Sequence, residues 1–97
     1  MPTYIVLIDW TDQGIRNVKD TIKRSEAFKS AIEKSGGKLL DAYYTMGQHD
    51  YVATIELPND DSTMSTLLAL GARGNVRTTT LKAFSISEVE KVVSKLS

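Results

Sequence analysis

Tyr4-Ile5-Val6-Leu7-Ile8 is apolar at every position and rich in β-branched side chains. Side chains alternate between the two faces of a strand. A strand here therefore carries Tyr4, Val6, Ile8 and Trp10 on one side and Ile5 and Leu7 on the other. Both faces need cover, which places the segment centrally in its sheet. Asp9 to Gly14 ends it in turn-forming residues, and Ile15 to Asp20 predicts no more than one loose helical turn.

The rest of the chain supplies elements to flank that strand. From about Thr21, Ala27, Phe28, Ala31 and Ile32 recur at helical spacing, and Gly36-Gly37 gives the stop. Lys38 to Thr45 reads as a strand, Gly47-Gln48 as a hairpin turn, and Asp50 to Leu57 as the returning strand. Pro58 to Ser62 breaks that strand and offers caps for a second helix, whose expected inward stripe is Met64, Leu67, Leu68 and Gly71, with Leu70 beside it. Asn75 to Ala83 is extended. Ser85 and Glu88 form a capping box for a last helix with Ile86, Val89, Val92, Val93 and Leu96 as its apolar set.

The order is β-α-β-β-α-β plus a terminal helix, the ferredoxin-like arrangement of the α+β class. It predicts one domain over residues 1–97, with a four-stranded antiparallel sheet in the order 4-1-3-2. The connections then bring Trp10 to Gln13, Tyr44 to Met46, Gln48 to Asp50 and Gly74 to Arg77 to one end of the sheet. That end receives the only tryptophan and the only histidine, and three of the four tyrosines lie between Tyr43 and Tyr51. The ligand-binding candidates are Trp10, Tyr44, His49, Asp50, Asn75 and Arg77.

Each candidate has a structural alternative. His49 is a candidate acid–base catalyst or a surface residue beside a turn. Asp50 points to the opposite sheet face from His49 and suits a bond to backbone amides in the turn. Arg77 fits a carboxylate or phosphate clamp, or an intersubunit ion pair with Asp9, Asp12 or Asp50. Trp10 either stacks on a flat ligand or packs in a core or interface.

Composition narrows the function classes. Twelve basic residues balance twelve acidic ones, so neither nucleic acid nor a membrane surface is an expected partner. The absence of cysteine excludes disulfides and thiolate metal sites, and one histidine without a carboxylate cluster predicts no metal. Gly71-Ala72-Arg73-Gly74-Asn75 follows a helix instead of opening one, so it is a C-cap rather than a phosphate cradle, and no cofactor is expected. No apolar run approaches the ~20 residues of a membrane span. Met1-Pro2-Thr3-Tyr4 enters a strand without the basic region of a signal peptide, so a cytoplasmic location is expected. Two helices cover one face of such a sheet, and the aliphatic side chains on the other predict association with itself, as a homodimer or higher homo-oligomer.

Three separated motifs resemble one family. Tyr4-Ile5-Val6-Leu7-Ile8-Asp9-Trp10-Thr11-Asp12-Gln13-Gly14-Ile15-Arg16-Asn17 looks like the start of the GYD-domain proteins. Thr45-Met46-Gly47-Gln48-His49-Asp50 is similar to their signature turn, and Leu70-Gly71 with Gly74-Asn75-Val76-Arg77-Thr78 to their late motif. The resemblance implies a bacterial or archaeal protein of the dimeric α+β barrel superfamily, whose members pair ferredoxin-like sheets face to face around a cavity. It carries over Gly47 and Asp50. At the aromatic position, where it implies tyrosine, this chain has His49.

Two functional readings follow. One is a homo-oligomeric domain of unassigned biochemical activity that binds a small ligand or a partner. The alternative is a cofactor-independent enzyme, isomerase or monooxygenase-like, acting on a small aromatic or carbonyl compound, with His49 moving a proton and Arg77 steadying the developing anion.

Overall fold

The computed structural model describes residues 1–96. Its strands are β1 (Thr3–Trp10), β2 (Lys38–Tyr44), β3 (Tyr51–Glu56) and β4 (Val76–Ala83). The helices are α1 (Asp12–Arg16), α2 (Thr21–Lys34), α3 (Asp60–Ala72) and α4 (Ile86–Val93), with a 3-10 turn at Val18–Asp20. The sheet runs β2-β3-β1-β4 with every pairing antiparallel, the expected ferredoxin-like order with its extra C-terminal helix. β1 is central.

α2 and α3 cover the sheet face that carries Tyr4, Val6 and Ile8 of β1 with Tyr51, Ala53 and Ile55 of β3, all buried. Phe28 and Ile32 of α2 complete this core. Ala27 and Ala31, expected on the same stripe, are exposed along the side of α2 that faces α3. α2 stops where Gly36, at φ +84°, lets the Gly37 N–H reach the Ile32 carbonyl at 2.9 Å.

The inward stripe of α3 differs from the expected one. Thr63, Thr66, Leu67 and Leu70 face inward, while Met64 and Leu68 are exposed. The two threonines tolerate burial because their hydroxyls donate to the carbonyls of Asn59 at 2.9 Å and Ser62 at 2.8 Å. A reading that counts threonine as polar misses this. Two further segments also differ. Asp12–Arg16 is a short helix where a turn was expected, because the Thr11 hydroxyl caps it by accepting from the Gly14 N–H at 3.1 Å. The β2–β3 connection spans Thr45 to Asp50 rather than two residues, closed by the Thr45 N–H on the Asp50 carbonyl at 2.9 Å.

α4 stands apart from the body. The molecule measures 53 × 30 × 19 Å with a radius of gyration of 14.8 Å, against about 12.5 Å for a compact chain of this length. Ile86 is 79 % exposed and Leu96 72 %, and Val89, Val92 and Val93 are exposed with them, so the expected apolar set is not buried against the described residues of its own chain. The predicted capping box is present. The Ser85 N–H donates to Glu88 Oε1 at 2.9 Å, and the Glu88 N–H to Ser85 Oγ at 3.1 Å. The Ser85 N–H and then its hydroxyl hold the Glu88 carboxyl below the usual carboxylate range. A depressed carboxyl stabilises the fold above its unfolded pKa, and that stabilisation is lost as pH falls through the folded value. The α4 part of the far-ultraviolet circular dichroism should therefore fade on acidification below the usual carboxylate range. Glu88→Gln should flatten this dependence, and an unchanged acid profile in that variant would contradict the cap's role.

Candidate functional site

The end of the sheet formed by the close of β1 and β2 and the start of β3 and β4 is built around Asp50. Its N–H donates to the Ile8 carbonyl at 3.0 Å, and its Oδ2 accepts from the Trp10 N–H at 2.9 Å. Asp50 thus bonds a backbone amide of the neighbouring strand rather than of its own turn. The loop before it is fixed by Thr45 Oγ1 donating to the His49 carbonyl at 2.6 Å and by Gly47 at φ +115°. A hydrogen bond to an ionised carboxylate contributes about 1.5–3 kcal/mol. Asp50→Ala should lower stability by about that amount and loosen the end of β1, measured by urea unfolding and amide exchange of Trp10.

On the side of the rim continuous with the open sheet face lies a hydrogen-bonded polar pair. His49 Nδ1 is 3.1 Å from Asp9 Oδ1 and 3.3 Å from Oδ2. The His49 side chain is 26 % exposed and that of Asp9 39 %. Asp9 is also the cross-strand partner of Arg77, so the two share a face. With Nδ1 turned to the carboxylate, the other imidazole nitrogen is left for a ligand or a proton. Asp9 was missed as the partner of His49, although strand alternation places it with Ile5 and Leu7 and opposite Trp10.

Trp10 and Tyr44 lie on the helix-covered side. Their rings stack at 6.3 Å, and Tyr44 meets Tyr51 edge-on at 4.8 Å. The Tyr44 hydroxyl donates to the Thr21 carbonyl at 3.2 Å, and the Tyr51 hydroxyl lies 2.8 Å from Ser25 Oγ. Burial pushes the Tyr51 phenol above its ordinary pKa. Asn75 joins the rim to α1. Its Oδ1 accepts from Gln13 Nε2 at 3.0 Å, and its carbonyl accepts from the Thr11 N–H at 3.0 Å. The six candidates therefore fall into three sets. His49 and Arg77 belong to the open-face side, Trp10 and Tyr44 to the helix side, and Asp50 and Asn75 hold the backbone between them.

The GYD domain family model matches residues 4–93. The chain belongs to the GYD domain family. This GYD domain is 29% identical over 90 residues to the glutamine synthetase and cystathionine beta-lyase binding protein of Thermus thermophilus, covering 92% of this chain and 95% of that protein. Its fold is similar to the crystal structure of a Thermus thermophilus protein, with a TM-score of 0.56 at 25% identity, covering 88% of this chain and 95% of that one. In this GYD domain the glycine and aspartate of the signature turn have distinct tasks. Gly47 allows the loop its left-handed bend, and Asp50 clamps the end of β1.

Proposed function

We propose that this GYD domain is a partner-binding module that self-associates through its open sheet face and engages another protein through α4. The observation that carries this reading is that two groups of aliphatic side chains, on the open sheet face and on α4, are left half-buried or exposed. Ile5 and Leu7 of β1 sit on the open face beside Val52 of β3 and Leu81 of β4. α4 presents Ile86, Val89, Val92, Val93 and Leu96 exposed on the described chain. Contiguous apolar surface of this kind marks association sites. An isolated helix of eight residues is marginal in water, so a partner that covers α4 would add to the order its capping box provides. The similarity to a protein named for binding glutamine synthetase and cystathionine beta-lyase supports an enzyme as the covering partner.

The test uses purified glutamine synthetase and cystathionine beta-lyase from the organism that supplies this chain, by sedimentation velocity. At least one should form a complex, and Val89→Asp should weaken it about tenfold or more by placing a carboxylate in an apolar contact. If neither enzyme binds, or if Val89→Asp binds as the unaltered protein does, the assignment of α4 is wrong.

The His49–Asp9 pair favours a second reading, a cofactor-independent proton-transfer enzyme. A carboxylate that orients an imidazole is a recurrent acid–base device, and Arg77 on the same face offers a positive charge for a developing oxyanion. This reading expects His49-dependent deuterium exchange next to the carbonyl of small ketoacids, followed by proton NMR. Exchange unaltered by His49→Gln would rule it out.

A further inference from the structure

We propose that the cleft between α2 and α3 binds a small carboxylic acid with an aromatic or bulky apolar body. The site lies on the helix-covered side of the sheet, away from the open face, and does not depend on the association surfaces above. A cavity of about 250 Å³ separates the two helices. It adjoins a smaller cavity under Trp10 and Tyr44, and Arg24, Phe28, Leu70 and Val76 line both. Helix pairs whose facing side chains are as small as Ala27, Ala31 and Ala69 ordinarily close upon each other. Here those residues wall a space with an apolar floor of Phe28, Leu70 and Val76.

Charge assigns the ligand class. Arg24 and Arg73 both line the cleft, and among the described residues no carboxylate does. Arg24 is held in place by donating Nη1 to the Asn17 carbonyl at 2.9 Å and Nη2 to the Gly14 carbonyl at 3.1 Å. Guanidinium carries five N–H donors, so these two bonds fix its position and leave donors for a bidentate anion. Carbonyls satisfy hydrogen bonds without cancelling charge. Neither arginine pairs with an acid among the described residues. A half-buried, pre-oriented guanidinium with an exposed second arginine on the same cleft is suited to hold a carboxylate. The apolar floor and the aromatic rings beyond it would take the body of the acid, the usual division of labour in a small-molecule site.

Trp10 is the only tryptophan and lines the smaller cavity next to the cleft, so its fluorescence reports an acid whose body reaches that cavity. Phenylacetate should change that emission saturably below about 10 mM. Benzyl alcohol, which keeps the ring and lacks the charge, should not. Arg73 makes no side-chain bond that the fold depends on among the described residues, so Arg73→Gln should leave the unfolding midpoint in place and weaken phenylacetate at least about tenfold. Ala69→Met, which fills the cleft from a helix surface, should abolish the signal. No saturable change in the unaltered protein, or undiminished binding by both variants, would overturn the site. If inorganic phosphate or benzyl alcohol matched phenylacetate, the ligand class would be overturned.

Discussion

Replacing Gly14 with alanine should destabilise the protein by about 3 kcal/mol or more, the upper part of the range for forcing atoms into a packed site. A Cβ on Gly14 would overlap the carbonyl oxygen of Asn75, which is backbone and cannot rotate away. That carbonyl already accepts the Thr11 N–H at 3.0 Å, and the Thr11 hydroxyl donates to the Gly74 carbonyl. To admit the methyl group, α1 must move off the start of β4 and break both bonds. Each contributes about 1 kcal/mol. The Gly14 carbonyl also accepts from Arg24, so the guanidinium clamp at the α2–α3 cleft should lose its anchor. Equilibrium urea unfolding measures the first effect. Gly71→Ala is the control, because nothing lies within 4 Å of a Cβ placed there. Gly71 is helical, so alanine should be neutral or stabilise by up to about 1 kcal/mol. Equal losses in the two variants would show that the Gly14–Asn75 approach is not what holds α1.

The fold was largely legible because its strongest signals are local and periodic. Tyr4 to Ile8 is apolar on both faces and became the central strand, and Gly36-Gly37 stopped α2. Ser85 and Glu88 capped α4 as their spacing implied. Side-chain choices that depend on tertiary partners were not legible. Met64 and Leu68 satisfy a helical stripe as well as Thr63 and Thr66 do, and only the direction from which the sheet approaches α3 decides between them. The capping of α1 depends on a threonine whose own position is fixed by Gly74 and Asn75, some sixty residues away.

The candidate site divides along the same line. Chain tracing brought Trp10, Tyr44, His49, Asp50, Asn75 and Arg77 to neighbouring strand ends. Strand parity then decides which side of the sheet each one serves. Asp9 and Trp10 are adjacent in sequence, yet one meets His49 and the other stacks on Tyr44. The α2–α3 cleft had no sequence signal, because Arg24 and Arg73 are far apart in the chain and Arg73 lies in a segment that reads as a helix C-cap.

Leu7→Asp should convert a self-associated protein to monomer at micromolar concentration. Leu7 lies in the central strand on the open face, with Val52 and Thr79 as its cross-strand neighbours and Ile5 two residues away on the same face. In the isolated chain this position is only half-buried. An aspartate there keeps contact with water and costs the monomer about 1 kcal/mol through strand propensity. Between two apposed sheets it would bury an unpaired carboxylate in an aliphatic patch from each copy, and an uncompensated buried charge costs several kcal/mol. About 4 kcal/mol corresponds to roughly a thousandfold weaker association. Size-exclusion chromatography with light scattering should give the mass of at least two chains for the unaltered protein and of one for Leu7→Asp, with far-ultraviolet circular dichroism unchanged. A monomeric unaltered protein, or a variant that associates as tightly, would remove self-association through this face. Binding of a partner enzyme by the monomeric variant separates the two surfaces further. If α4 alone makes the contact, each monomer keeps its intrinsic affinity and loses only the avidity of two linked sites.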